Sequence, residues 1–175
     1  TNGILLAEQL DALLDAGIDA INISLDTLDP ELFKKVARRD GLEKVFEGIK
    51  AALAHPGLSL KINSVPVIKE KENFIGIAGL AQKYPIHVRF IEMMPIGYGA
   101  AYTGGSNEEL FRQIEECYGN VSEAGTVRSR EGKKYSADIR NLSYTEEKQQ
   151  SGKHGAGPAA YYRFPGLNMD VGFIS

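Results

Sequence analysis

A single cysteine in 175 residues, Cys117, excludes several classes of protein at once. Without a thiol partner the chain cannot close an internal disulfide, and one thiolate cannot build a multi-cysteine metal centre. The residue lies in "ELFRQIEECYG", a helical pattern in which a buried, inert thiol is expected rather than a nucleophile. Histidine is almost as scarce. His55, His87 and His154 are far apart, none has a His or Cys partner at ligand spacing, and all three read as surface or packing residues. Long apolar runs are also missing: nothing approaches the ~20 residues of a membrane helix. "TNGILLAEQL" has no charged n-region leading to a small-residue cleavage site, so a soluble, cytoplasmic protein without membrane contact is expected. Nor is there an excess of one charge. The 20 Lys and Arg face 23 Asp and Glu, and a net charge of -3 offers no general attraction for nucleic acid or an acidic membrane.

What the chain does have is 43% hydrophobic residues, enough for one domain-sized core, and a repeating rhythm of strand and helix patterns. "ILLAEQLDALLDAG" sets Leu6, Leu10, Leu13 and Leu14 on one helical stripe and ends at Gly17, suited to a left-handed C-cap. A strand from Asp19 to Leu25 follows, and Asp29-Pro30 supplies an N-cap and a first-turn proline for a short helix. "GLEKVFEGIKAALAHPG" carries Val45, Ile49 and Leu53 on another stripe, and Pro56-Gly57 stops it. "LSLKINSVPVI" reads as the next strand and "IHVRFIEMM" as the third. Between them "KENFIGIAGLAQKY" predicts a helix with Phe74, Ala78 and Ala81, or Ile77 and Leu80, inward. Strands alternating with helices imply βαβ units and a parallel sheet, either doubly wound or part of a barrel.

Beyond Pro95 and Gly97 the character changes. A Gly-rich loop leads into a helix with Ser106 and Glu109 in capping-box spacing. Residues 126–157 are rich in Lys, Arg, Ser and Gly and read as a basic loop or insertion. "AAYYRFPGLNMDVGFIS" then predicts two short strands around a Pro-Gly turn.

The strands carry the functional signal. Ile21, Ile23 and Leu25 alternate with Asn22, Ser24 and Asp26, whereas a parallel strand covered on both faces should be almost continuously apolar. The second strand repeats the pattern, with Leu60 and Ile62 on one side and Lys61 and Asn63 on the other. If the apolar sets face the helices, two strands offer a polar face to one space, and a barrel lumen wide enough for a polar ligand follows. An unpaired Lys buried there would cost several kcal/mol, about what a small domain has in total. An anionic ligand would remove that cost. The alternative is a sheet edge whose polar face simply meets water. In the third strand Arg89, Ile91 and Met93 share one parity and Phe90, Glu92 and Met94 the other, so no clean polar face emerges there.

In order, "TNG", "INISLDTLDPELF", "LKINSV", "VRFIEMMPIG" and "GPAAYYRFPG" with "VGFIS" resemble the radical S-adenosylmethionine GTP cyclases that make the first pterin intermediate of molybdenum-cofactor biosynthesis. The resemblance runs from Thr1 to Ser175. It implies an α/β fold, a partial (βα) barrel of radical SAM type with parallel strands. Residues 1–100 would be its second half and 101–175 an incomplete C-terminal α+β region with the basic loop 126–157. It further implies S-adenosylmethionine and two 4Fe-4S clusters in the full-length enzyme. The first cluster, on a CxxxCxxC motif, cleaves S-adenosylmethionine to a radical that abstracts a hydrogen from GTP, and the second holds the GTP base. By position, Ser24 and Met94 match residues that contact S-adenosylmethionine. Thr1 and Lys61 match the GTP site, and Arg89 matches a basic residue near the GTP phosphates.

Neither cysteine set is in this sequence, so no catalytic or metal-ligating residue is assigned and no cofactor is expected on the chain itself. The chain reads as a central fragment of such an enzyme, inactive alone, with GTP as the small-molecule substrate and a homodimer left open. Two other readings stand beside it: an aldolase-like barrel with Lys61 as a Schiff base, and a non-catalytic nucleotide-binding module.

Overall fold

A computed structural model describes residues 1–66, 71–93, 106–121 and 159–174. Their elements run in the order α1 (Leu6–Asp15), β1 (Ala20–Ser24), α2 (Pro30–Ala37), α3 (Leu42–Leu53), β2 (Ser59–Ser64), α4 (Lys71–Ala78), α5 (Leu80–Lys83), β3 (Ile86–Ile91), α6 (Asn107–Tyr118), β4 (Ala160–Tyr162) and β5 (Val171–Ile174). The basic stretch 126–157 and Met94 lie outside the described residues, as does His154.

The strands form one sheet in the order β1-β2-β3-β5-β4. β1, β2, β3 and β5 are parallel neighbours, and β4 closes the order antiparallel to β5. This is the α/β, mostly parallel architecture that the alternation of strands and helices implied. Beside β1, Thr1 donates its ammonium to Asn22 O at 3.0 Å and accepts from Ser24 N at 2.8 Å, the hydrogen-bond pattern of a parallel bridge.

Local chemistry explains the element ends. Gly17 takes φ +82 after α1, a left-handed value that costs glycine little. Asp29 caps α2, its Oδ1 accepting from Leu32 N at 2.8 Å with Pro30 in the first turn. Ser106 accepts from Glu109 N at 3.3 Å at the start of α6. The segment read as one helix after β2 is broken at Gly79 into α4 and α5. A Cβ there would meet Tyr118 Oη at 2.9 Å, so the tyrosine of α6 seats against the break and donates to Ile75 O at 3.0 Å. With the break, both alternative stripes are buried: Phe74, Ile77, Ala78, Leu80 and Ala81.

The helix side of the sheet is the core. Ile21, Ile23, Leu25, Leu60, Ile62, Ile86, Val88, Phe90, Val171 and Phe173 are all buried on it. Burial of such side chains stabilises by about 1.5–3 kcal/mol each. Aromatic rings extend this layer to the far edge. Phe111 of α6 packs on Tyr162, Phe164 and Phe173 with centroids 5.0, 5.2 and 5.6 Å away, tying α6 to β4 and β5. Cys117 is exposed, against the expected burial. The inward stripe of α6, Leu110, Phe111 and Ile114, passes to Tyr118 in its last turn and leaves the neighbouring thiol outside.

Candidate functional site

The parallel ladders put Asn22 beside Lys61 and Lys61 beside His87. They put Ser24 beside Asn63, Asn63 beside Arg89 and Arg89 beside Gly172. Tyr161 of β4 faces Gly172 in turn. Cα partners in a ladder share a face of the sheet, so these residues form one surface on the side opposite the core. The polar parity expected for β1 and β2 is therefore present and continues into β3, where sequence alone showed no clean polar face.

This surface is open at one end and closed at the other. Asn22 and Ser24 on β1 are exposed, whereas Lys61 keeps only 4% of its surface and His87 only 9%. The water-facing edge thus describes β1, and the enclosed polar face describes β2 and β3. Arg89 ties the three strands together: Nε donates to Asn63 Oδ1 at 2.8 Å and Nη2 to Asn22 Oδ1 at 2.9 Å. Two amide oxygens orient the fork without neutralising it, because neither carries a formal charge. Burial lowers the pKa of Lys61, and the Arg89 charge nearby lowers it further. A cation held next to a second cation in a partly dry site is an arrangement that an anion stabilises.

At the carboxyl end of β1 the sheet borders a cavity of about 230 Å³ lined by Ser24, Asp26, Thr27, Ile4, Phe33 and Arg39 among others. Ligands of parallel sheets bind at such strand ends. Asp26 Oδ1 accepts from Val65 N at 2.8 Å, yet burial still raises its pKa, because desolvation outweighs that one hydrogen bond. Lys61 and Arg89 are not among the lining residues, so Ser24 belongs to a separate part of the polar surface.

Thr1 is exposed beside β1, and its hydroxyl accepts from Gly3 N at 3.3 Å. Lys61 and Arg89 are brought together; Ser24 lies on the same face toward the cavity. Asn22 and Asn63, noticed in the sequence only as part of a polar parity, turn out to hold Arg89. Sequence reasoning missed two members. His87, read as a surface or packing residue, and Tyr161, read only as a strand residue, both join the polar face. Their signal was parity: His87 is two residues before Arg89, and Tyr161 alternates with the buried Tyr162.

Residues 1–78 match the radical SAM superfamily. Across its whole length the chain is also similar to curated proteins named GTP 3',8-cyclase. It is 33% identical over 177 residues to that of Clostridium perfringens (strain SM101 / Type A), with 100% of this chain and 46% of that protein aligned. It is 37% identical over 176 residues to that of Heliobacterium modesticaldum (strain ATCC 51547 / Ice1), with 100% of this chain and 47% of that protein aligned. A 96-residue part, 54% of this chain and 29% of the relative, is 42% identical to that of Chlorobaculum tepidum (strain ATCC 49652 / DSM 12025 / NBRC 103806 / TLS). The chain spans about half the length of the curated relatives it matches.

Radical SAM proteins use S-adenosylmethionine with an iron–sulfur cluster, and the two fit this chain differently. The exposed Ser24 hydroxyl and the cavity beside it, part polar and part apolar, suit a group that carries charged and hydroxyl functions beside a flat aromatic base. The cluster does not fit these residues. One cysteine cannot supply the thiolates, and among the described residues no group of three or more His, Cys, Asp and Glu could hold a metal ion.

Proposed function

We propose that this chain forms one ligand-binding wall of an enzyme that converts GTP to the cyclic pterin precursor of molybdenum cofactor by radical S-adenosylmethionine chemistry. In this reading Lys61 and Arg89 face the GTP phosphates, Thr1 lies at the edge of the same substrate site, and Ser24 and Met94 contact S-adenosylmethionine. Residues 1–100 carry the barrel wall and 101–175 a smaller region added to it. The two 4Fe-4S clusters belong to cysteine sets outside this sequence, and the enzyme works in the cytoplasm. A homodimer is part of the same reading.

The observation that carries it is Lys61, 4% exposed on a polar sheet face with Arg89 close enough to depress its pKa. Each of these cations gains from a phosphate that removes their mutual repulsion. Calorimetry of GTP binding tests the assignment. Replacing Lys61 with alanine should weaken binding by about 1.5–3 kcal/mol, the range for hydrogen bonds to charged groups. Unchanged GTP affinity would remove Lys61 from the substrate site.

The depressed Lys61 pKa also suits a Schiff-base lysine, which must lose its proton to attack a carbonyl. Borohydride reduction in the presence of a carbonyl substrate separates the two readings: a covalent adduct on Lys61 favours the aldolase-like one. Binding of GTP without turnover by the complete enzyme would instead favour a nucleotide-binding module.

A further inference from the structure

Tyr161 stands opposite Gly172, and Gly172 stands opposite Arg89, so the three occupy adjacent places on one face across β4, β5 and β3. The glycine between them leaves the space that both side chains border. A Cβ on Gly172 would lie 2.9 Å from Tyr161 Cε1, 3.1 Å from Tyr161 Cδ1 and 3.1 Å from Arg89 Cγ. The phenol ring and the aliphatic stem of Arg89 therefore flank, from the β4 and β3 sides, a stretch of β5 backbone that has no side chain. His87 supports the ring from β3 in an edge-on contact, centroids 6.3 Å apart at 80°. Burial raises the Tyr161 pKa, which keeps the hydroxyl protonated, while the nearby Arg89 charge pulls the other way.

Arg89 is thus held from both sides. Asn63 and Asn22 take Nε and Nη2 from the β2 and β1 side. Tyr161 stands on the β5 and β4 side, where an arginine would otherwise be free to swing over the bare Gly172. We propose that Tyr161, set beside Gly172, is a positioning residue that holds the Arg89 guanidinium in its orientation toward a phosphate ligand. The proposal rests on the reading of Lys61 and Arg89 as a phosphate-binding pair. It assigns Tyr161 no contact with the reacting atoms.

The test measures binding of inorganic tripolyphosphate by calorimetry to the full chain and to Arg89→Ala, Tyr161→Phe and Gly172→Ala, with thermal melting of each. Tyr161→Phe keeps the ring and removes only the hydroxyl. It should weaken binding about three- to tenfold, because the buried hydroxyl dipole beside the Arg89 charge is lost, with an unchanged melting temperature. Gly172→Ala should weaken binding as well, because its methyl displaces both the ring and the Arg89 stem. A second readout is the Arg89 Nε–H resonance, which should shift in Tyr161→Phe even without ligand; a resonance unmoved by the substitution overturns the proposal. If Arg89→Ala abolishes binding and Tyr161→Phe leaves it intact, the proposal fails and the phosphate reading survives. If Arg89→Ala binds tripolyphosphate as the native chain does, or the native chain does not bind it, both fail together. A Tyr161→Phe variant that loses thermal stability in step with affinity shows a structural role and also overturns it.

Discussion

Arg89 on β3 donates from Nε to Asn63 Oδ1 on β2 at 2.8 Å, and this bond sets the plane of a guanidinium that also reaches Asn22 on β1. It couples strand pairing to the orientation of the site. Replacing Asn63 with alanine should therefore act at two levels. Stability should fall by about 1 kcal/mol, near the low end for a partly exposed charged hydrogen bond, and urea denaturation reads that loss. In a double-mutant cycle with Arg89→Met the coupling should be of similar size, roughly 0.5–1.5 kcal/mol. Additive losses would mean that the bond contributes nothing.

The pH dependence of stability follows from Lys61. Its folded-state pKa lies below the ordinary 10.5 because burial and Arg89 disfavour the charge. Between the depressed value and 10.5 the unfolded chain binds more protons than the folded one, so stability should rise with pH across that window. Lys61→Met should flatten the rise, and chemical denaturation at a series of alkaline pH values checks it. A phosphate ligand should reverse the local balance. Binding in this window should take up a proton, seen as a dependence of the calorimetric heat on the ionisation enthalpy of the buffer.

Gly48 of α3 packs closely against Leu6 of α1. A Cβ there would lie 2.8 Å from Leu6 Cβ and 3.1 Å from Gly3 O, neither of which is the tip of a flexible side chain. Overpacking of this kind costs about 1–3 kcal/mol. The helix-propensity gain of alanine over glycine, about 0.8–1 kcal/mol, works against it. Gly48→Ala should therefore lower stability by roughly 0.5–2 kcal/mol. Gly57, which has nothing within 4 Å of a new Cβ, is the control, and Gly57→Ala should leave the denaturation midpoint almost unmoved. Equal effects at both positions would contradict the packing account.

The chain by itself should not cleave S-adenosylmethionine. Reductive cleavage needs a cluster iron held by thiolates with one position left for the cofactor, and Cys117 is a lone, exposed thiol. Anaerobic reconstitution with iron and sulfide, followed by an assay for 5′-deoxyadenosine under a strong reductant, examines this. Product formed in proportion to loaded cluster would overturn the expectation.

The order of strands and helices, the caps at Asp29 and Gly17, and the polar parity of β1 and β2 could all be read from the sequence. Each follows from chemistry acting over a few residues: a side chain reaching its own helix, a glycine tolerating positive φ, a pleat that sends alternate residues to opposite faces. The same local rules made Lys61 stand out. What they could not supply was register between distant segments. Only the assembled sheet decided that Arg89 would bridge to Asn63 and Asn22, and that Tyr161 would face it across Gly172. It also decided that Tyr118, rather than Cys117, would take the inward place at the end of α6, with Gly79 giving way to receive it. Pairing between strands and packing between helices depend on the whole core closing together, and a sequence window does not contain the partner that a residue will meet.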